Sequence, residues 1–428
     1  MTRPPATSRI RHLQCLIAFT ILTAFAPLVQ AQAQAQESGA LTDEESAPIA
    51  TDVSLTLNQA FEAAVARAPG AALLAAQVEG AADAKARSRS LIAGAPSVQL
   101  RYLSDRLQTR QGVTESEAGF DLPLWRWGQR QAVAQLASAN QVGAADELRF
   151  HRWQVAGAVR ESYWEVREAQ QRLELARRDV AAFKALEADV QQRIKAGDAA
   201  PGERITAEGQ RLEREAAQHE AEVMLADRFF GWRALTGLSV LPNPEEERAA
   251  PEVTAYVPLD AARAAAACAE AALMAGRSEG AGSPRLLLGV RHDTQDGASD
   301  VDSLAAQLSL PFGGNSHRQA ALAPLKLEAA RARDFVSQME RESQLAHHEA
   351  EHELHAREIA LTDAGARMAL ALDELALARR AYSLGEIPLA ERLLTELRAA
   401  DANRSHLLAF IAHSRAIARF NQINGVLP

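Results

Sequence analysis

Apolar residues recur along this chain at two spacings, every second residue over short runs and every third or fourth over long ones. Val98, Leu100 and Tyr102 alternate with Gln99 and Arg101, and Ala118, Phe120, Leu122 and Leu124 alternate with Gly119 and Asp121. The alternation returns at Leu286, Leu288 and Val290, and again at Leu304, Ala306, Leu308, Leu310 and Phe312. A period of two gives a strand one apolar and one polar face, which predicts strands near residues 97–106, 115–124, 284–293 and 303–312. Each run has about ten residues, the length of a tilted strand that crosses a bilayer. Trp125 and Trp127 stand just past the second run, where an interfacial aromatic belt would fall. Alternation by itself fits hairpins half-buried on a soluble core equally well.

The helical patterns are far longer. No proline interrupts Arg126 to Gln192, and between Gly314 and Arg380 the one proline, Pro324, stands near the start. At 1.5 Å per residue a helix over 126–192 or 314–380 reaches about 100 Å. Val166, Leu173 and Val180 recur every seven residues, and Ala169, Ala176, Phe183 and Val190 follow the same step three places on. That is the seam of a helix packed against other long helices. Both rods stop at helix breakers, Ala196-Gly197-Asp198-Ala199-Ala200-Pro201-Gly202 and Gly385-Glu386-Ile387-Pro388. Return helices are predicted over about 203–236 and 389–423. A helix broken at Pro69-Gly70 precedes the first strand pair, and one over 259–277 precedes the second.

The order of elements therefore occurs twice. A shift of 188 residues carries Pro96 onto Pro284, Leu122-Pro123 onto Leu310-Pro311, Gly197 onto Gly385 and Glu203-Arg204 onto Glu391-Arg392. The chain reads as two αββαα repeats, residues 55–240 and 259–428, joined by a proline- and glutamate-rich connector over 241–258. A unit this long is no solenoid repeat, whose period is about 20–50 residues.

Composition narrows the classes. The net charge is −9 with no basic run, which argues against a nucleic-acid partner. Aromatic residues are only 5% and alanine is abundant, a balance suited to close helix–helix seams rather than to a bulky globular core. Residues 1–35 read as an export signal: Arg3, Arg9 and Arg11, then the apolar Leu16 to Val29, then cleavage points at Ala31, Ala33 and Ala35. Residues 36–54 read as a disordered lead-in. After cleavage Cys268 is the single thiol, so no disulfide framework is expected and the residue reads as small apolar packing. No later run approaches the roughly 18 apolar residues of a membrane-spanning helix, which leaves periplasmic, secreted and β-barrel destinations open. No catalytic set emerges, with no G-x-S-x-G, no Walker loop and no Cys–His pairing. Neither an enzyme nor a cofactor-binding protein is expected.

Two strand pairs, two very long helices and two half-length returns behind an export signal resemble the TolC-like family of outer-membrane efflux proteins. The likeness runs from about Leu55 to Pro428. Its most specific parts are the strand-to-helix steps Leu122-Pro123 and Leu310-Pro311 and the glycine turns after Ile194 and Tyr382. The segment Ala381-Tyr382-Ser383-Leu384-Gly385 looks like the family's Y-x-x-G turn, and Ala196 to Glu203 is similar to the tip of its heavy-metal exporting branch. The resemblance implies a mixed α and β membrane protein: a homotrimer that shares a 12-stranded outer-membrane β-barrel and extends a long α-helical barrel into the periplasm of a Gram-negative bacterium. It implies the exit duct of a tripartite pump, partnered by a periplasmic adaptor and an inner-membrane transporter, with small solutes or heavy-metal cations as cargo. Physics agrees with the trimer: four strands are too few for a barrel, which begins at about eight, and an open sheet edge cannot stand in lipid. The alternative reading is a soluble periplasmic coiled-coil adaptor or scaffold.

Three sets of residues are singled out. Gly197, Asp198, Pro201 and Gly202, with Gly385, Glu386 and Pro388, either only reverse the chain or also receive the adaptor, as the resemblance implies. Glu203 and Glu391 open the return helices, where an acid is stabilised by the helix dipole; similarity to the family adds a pore-gating role, Glu391 forming a cation-attracting ring. Leu394 stands where a second family acid would be. Finally His348, His352 and His355 fall at i, i+4 and i+7, a spacing that can share a metal ion or simply form a solvated face.

Overall fold

The computed structural model describes residues 51–105, 107, 112–242 and 256–428. The export signal expected over 1–35, most of the lead-in, and residues 243–255 of the connector lie outside the described residues. In chain order the elements are β1 (Thr51–Asp52), α1 (Leu57–Arg67), α2 (Ala71–Arg89), β2 (Ser97–Ser104), β3 (Thr114–Pro123), α3 (Gln129–Ala196) and α4 (Pro201–Thr236). There follow β4 (Leu241–Pro242), α5 (Val257–Glu279), β5 (Arg285–Thr294), β6 (Val301–Ser309), α6 (Asn315–Ser383) and α7 (Leu389–Ile423). Thr51–Asp52, expected to be irregular, pairs in parallel with Leu241–Pro242. None of the described helices is long and apolar enough to cross a membrane.

The chain divides into two compact units. One holds residues 72–148 and 258–340, and its centre is a four-stranded antiparallel sheet in the order β2-β3-β5-β6. The middle pair joins β3 to β5, so strands from the two halves of the sequence share one ladder, from Thr114 opposite Thr294 to Pro123 opposite Arg285. Prolines mark where the sheet gives way: β3 ends on Pro123, and β6 ends at Ser309, just before Leu310-Pro311, because proline has no N–H to donate. That shortens the last strand relative to the expected 303–312. Beside the sheet, Ala269 and Leu273 of α5 pack on Leu322 and Ala329 of α6. Cys268 is buried, and a side chain on Gly143 of α3 would stand 2.8 Å from its Sγ, so the two helices approach on glycine.

The second unit comprises the described residues of 51–71, 149–257 and 341–428. The heptad seam of α3 is its spine: Val166, Ala169, Leu173, Val180, Phe183 and Val190 are all buried. At one level Phe61 of α1, Val159 and Trp164 of α3, Trp232 of α4 and Ile411 of α7 form the main core. The Trp232 indole donates to the Val240 carbonyl at 3.1 Å, giving this fully buried ring its polar partner. α1 starts at a capping box, in which Thr56 and Gln59 each accept a hydrogen bond from the other's backbone N–H.

Candidate functional site: the strand face and the helix-end turns

The register of the sheet places its apolar residues in rows on one face. Val98, Phe120, Leu288 and Ala306 make one row, and Leu100, Ala118, Val290 and Leu304 the next. Leu122, Leu286 and Leu308 make a third. Leu100, Phe120, Val290 and Leu308 are exposed, and Leu304 is 89% exposed. Large side chains on a ladder usually bury one face against something; here most of these side chains are left uncovered by the described residues, with Leu122 and Leu286 half-buried. Toward one end the rows turn polar, with Tyr102, Ser116, His292 and Asp302 in line and the His292 ring 2.8 Å from the Asp302 carboxylate.

The opposite face is polar and ordered. Arg285 donates through Nε to Asp121 Oδ2 at 2.7 Å, and Gln99 donates to the same oxygen at 3.0 Å. Arg291 reaches Glu115 at 2.9 Å and Asp293 at 2.8 Å. Between these pairs Gly119 faces Gly289, and a Cβ on Gly289 would stand 2.5 Å from the Ala118 carbonyl oxygen. Only glycine fits that approach. One face of the sheet is thus apolar and the other carries paired charges, the division of faces that barrel strands in a bilayer share.

The helix-end turns are built alike. At the end of α3 the Gly197 N–H bonds the Ile194 carbonyl at 3.1 Å and the Asp198 N–H bonds the Arg193 carbonyl at 2.9 Å. At the end of α6 the Gly385 N–H bonds the Tyr382 carbonyl at 3.1 Å and the Glu386 N–H bonds the Ala381 carbonyl at 2.9 Å. Both are Schellman ends, with Gly197 at φ +86° and Gly385 at φ +75°. Pro201 opens α4, and Pro388 caps α7. Gly197, Asp198, Pro201, Gly202, Gly385, Glu386 and Pro388 are all exposed.

Beneath the two turns a small core holds them together, with Phe183, Leu186 and Val190 of α3 packed on Ala207, Tyr382, Leu389 and Leu393. The buried Tyr382 ring lies between two guanidinium groups, Arg193 at 4.0 Å and Arg392 at 4.7 Å from its centroid. Arg193 also donates to the Tyr382 carbonyl at 2.8 Å, and Arg392 donates to Asp189 at 3.1 Å. Burial pushes the Tyr382 phenol above its ordinary value, with Arg193 and Arg392 opposing and Asp189 and Glu203 adding to the rise. Farther along, Glu396 is buried and held by Arg379 through two bonds of 2.8 Å.

Glu203 sits in the first turn of α4, half-buried, where its carboxylate accepts from the Ala200 N–H at 3.5 Å. Glu391 occupies the same place in α7 and is exposed. Both satisfy the helix-start role. Sequence reasoning missed Arg193, Asp189 and Arg392, because nothing in a period of seven tells a surface arginine from one laid on a tyrosine. It also missed Arg160, a buried side chain that donates to the Gln422 side chain at 2.6 Å and to the Val426 carbonyl at 2.9 Å.

His348, His352 and His355 are exposed on α6. H-E-x-x-H, expected from the motif pattern to be absent, is in fact spelled by residues 348–352. It does not form a metalloprotease centre here: among the described residues no three His, Cys, Asp or Glu side chains converge to hold a metal ion, and Glu349 pairs with Arg419 at 3.6 Å.

Solved structures share this architecture. A membrane protein from Pseudomonas aeruginosa matches with a TM-score of 0.69 at 17% identity, over 92% of this chain and 99% of that one. The outer-membrane protein VceC from Vibrio cholerae matches with a TM-score of 0.71 at 15% identity, over 87% and 97%. CusC, whose structures describe transmembrane channel formation, matches with a TM-score of 0.71 at 15% identity, over 86% and 92%. At such identities the likeness establishes the fold of the single chain, long helices joined to a small sheet, and to that extent agrees with what the resemblance to the TolC-like family implied. No protein-family model and no curated protein sequence matches this chain.

Proposed function

We propose that this chain is one subunit of a homotrimeric outer-membrane channel, the passive exit duct of a tripartite efflux pump that spans the periplasm of a Gram-negative bacterium. The observation that carries the reading is the sheet, with three rows of apolar side chains on one face, most of them exposed, ion pairs on the other, and β2 and β6 left at its edges. In lipid each edge must find a partner strand, and three sheets of four strands make a closable twelve. The likeness of fold to the solved outer-membrane channels CmeC and OprN supports the same conclusion. The two αββαα repeats then supply alternate segments of one barrel wall and one helical wall. A coiled-coil adaptor has no use for a bare apolar sheet face, so that alternative draws no support from the geometry.

In this reading the exposed turns at Gly197, Asp198, Pro201 and Gly202 and at Gly385, Glu386 and Pro388 dock a periplasmic adaptor, which links the duct to an inner-membrane transporter. Glu391 and Glu203, each in the first turn of a return helix, stand at the channel mouth. The cargo is small solutes, heavy-metal cations among them. Membrane fractionation followed by cross-linking tests the core of the proposal. The expected result is an outer-membrane species that cross-links to a trimer; a soluble monomer in the periplasmic extract would overturn it.

A further inference from the structure

Midway along α6, the histidine-rich stretch 347–355 takes no part in the strand face or the turns. Its rotation is fixed by packing, since Ala350 and Leu354 are buried against Ala416 and Phe420 of α7. That leaves His348 and His352 exposed on consecutive turns of the helix. Their ring centroids are 4.3 Å apart and the planes are inclined by 49°. Neither ring has a hydrogen-bond or ion-pair partner among the described residues. Their neighbour His347 differs, since its Nδ1 lies 2.7 Å from the Ser343 carbonyl and its ring meets Tyr256 edge-on at 5.9 Å. The positions in α3 that align with His348 and His352 are Arg160 and Trp164, and both are buried. The two imidazoles therefore hold no packing role inherited from the matching helix.

Two metal–nitrogen bonds of about 2.0–2.1 Å bridge ring nitrogens up to about 4 Å apart. Side-chain rotation alone brings this pair to one ion, with no change in the helix. The acidic residues around the pair raise the local cation concentration: Glu351 is exposed, while Glu349 and Glu353 are engaged by Arg419 at 3.6 and 2.7 Å. The geometry points to a two-imidazole binding site for a divalent transition-metal ion at His348 and His352, with water completing the coordination. His355 lies beyond the pair on the next turn and is not needed by it. Imidazole donors select Cu2+, Ni2+ and Zn2+ over Mg2+, which prefers oxygen, and Cu2+ binds most tightly in the usual order. A site with two protein ligands and open positions exchanges its ion readily, so this is a point of contact and not a structural metal centre.

The test uses the purified full chain titrated with Cu2+, Ni2+, Zn2+ and Mg2+, with calorimetry for affinity and electron paramagnetic resonance for nitrogen ligation of Cu2+. His348→Ala and His352→Ala are each expected to weaken the tightest Cu2+ site by about tenfold or more and to reduce its coordinating imidazole nitrogens from two to one. His219→Ala and His355→Ala should leave that site in place. Circular dichroism and membrane assembly should be unchanged in all four variants, so failure of the metal site is separable from failure of the channel reading. Unaltered Cu2+ affinity in both His348→Ala and His352→Ala would overturn the proposal, as would equal competition by Mg2+.

Discussion

Single residues carry the most local demands. Gly197 and Gly385 hold positive φ at Schellman ends, with no heavy atom within 4 Å of a built Cβ, so backbone strain and not crowding is what excludes other residues. A left-handed residue with a Cβ costs roughly 1–2 kcal/mol. Gly385→Val is expected to destabilise the turn by at least that much and to weaken adaptor capture, while Gly385→Asn, which tolerates the conformation, retains both. Thermal unfolding and adaptor pull-down read the two effects, and the double variant Gly197→Val with Gly385→Val should show the larger loss. Asp179 gives a pH-dependent case. Burial pushes its carboxyl above the ordinary 3.8, Arg214 and Arg404 hold it back, and Glu396 adds to the rise. A folded-state value above the unfolded one means that the folded chain binds the extra proton, so stability falls as pH rises from the unfolded value through the folded one. Asp179→Asn should raise the melting temperature at pH 7 relative to the parent, with the difference shrinking as pH falls toward 4. A constant difference across that range would remove the burial account.

At the scale of elements, the strands and the long helices solve opposite problems. The helices bury a heptad seam within one unit, as Val166, Leu173 and Val180 do, and exposed ion pairs such as Arg178 with Glu174 at 3.1 Å line their flanks. Exposed pairs of that kind contribute little individually, so the seam holds the bundle. The strands leave most of their apolar face uncovered by the described residues. Leu122 and Leu308 lie in one row with Leu286. If that face meets lipid, Leu122→Arg or Leu308→Arg costs about 2–4 kcal/mol near the bilayer midplane and reduces outer-membrane assembly, measured as heat-resistant trimer in membrane fractions. Gln307→Arg, on the polar face, should assemble normally. Normal insertion of both leucine variants would reverse the assignment of faces.

At the scale of the whole molecule, a trimer would bring charge together by symmetry. Glu391 is exposed at the start of α7, beside the turn that ends α6. Three copies converging at a mouth would attract cations by focusing the field there. Glu391→Gln should lower cation selectivity in single-channel recordings, whereas His348→Ala with His352→Ala leaves it intact. Wild-type ion preference in the Glu391→Gln channel would reduce this residue to a helix-start acid.

Much of this architecture is legible in the sequence because the deciding rules are local and periodic. Alternation at Val98, Leu100 and Tyr102 sets a strand and its faces, a seven-residue step at Val166, Leu173 and Val180 sets a buried seam, and glycine at 197 and 385 stops a helix because positive φ suits no other residue as well. Contacts across the chain follow no such rule. That β3 pairs with β5, that Arg193 and Arg392 enclose Tyr382, that Arg160 is buried on Gln422, and that the rings of His348 and His352 stand free while His347 does not were decided only in three dimensions. The reason is physical: a local period fixes which face of an element is apolar, but which partner that face meets depends on distant residues, and an arginine or histidine carries the same local signal whether it ends in water or in a core.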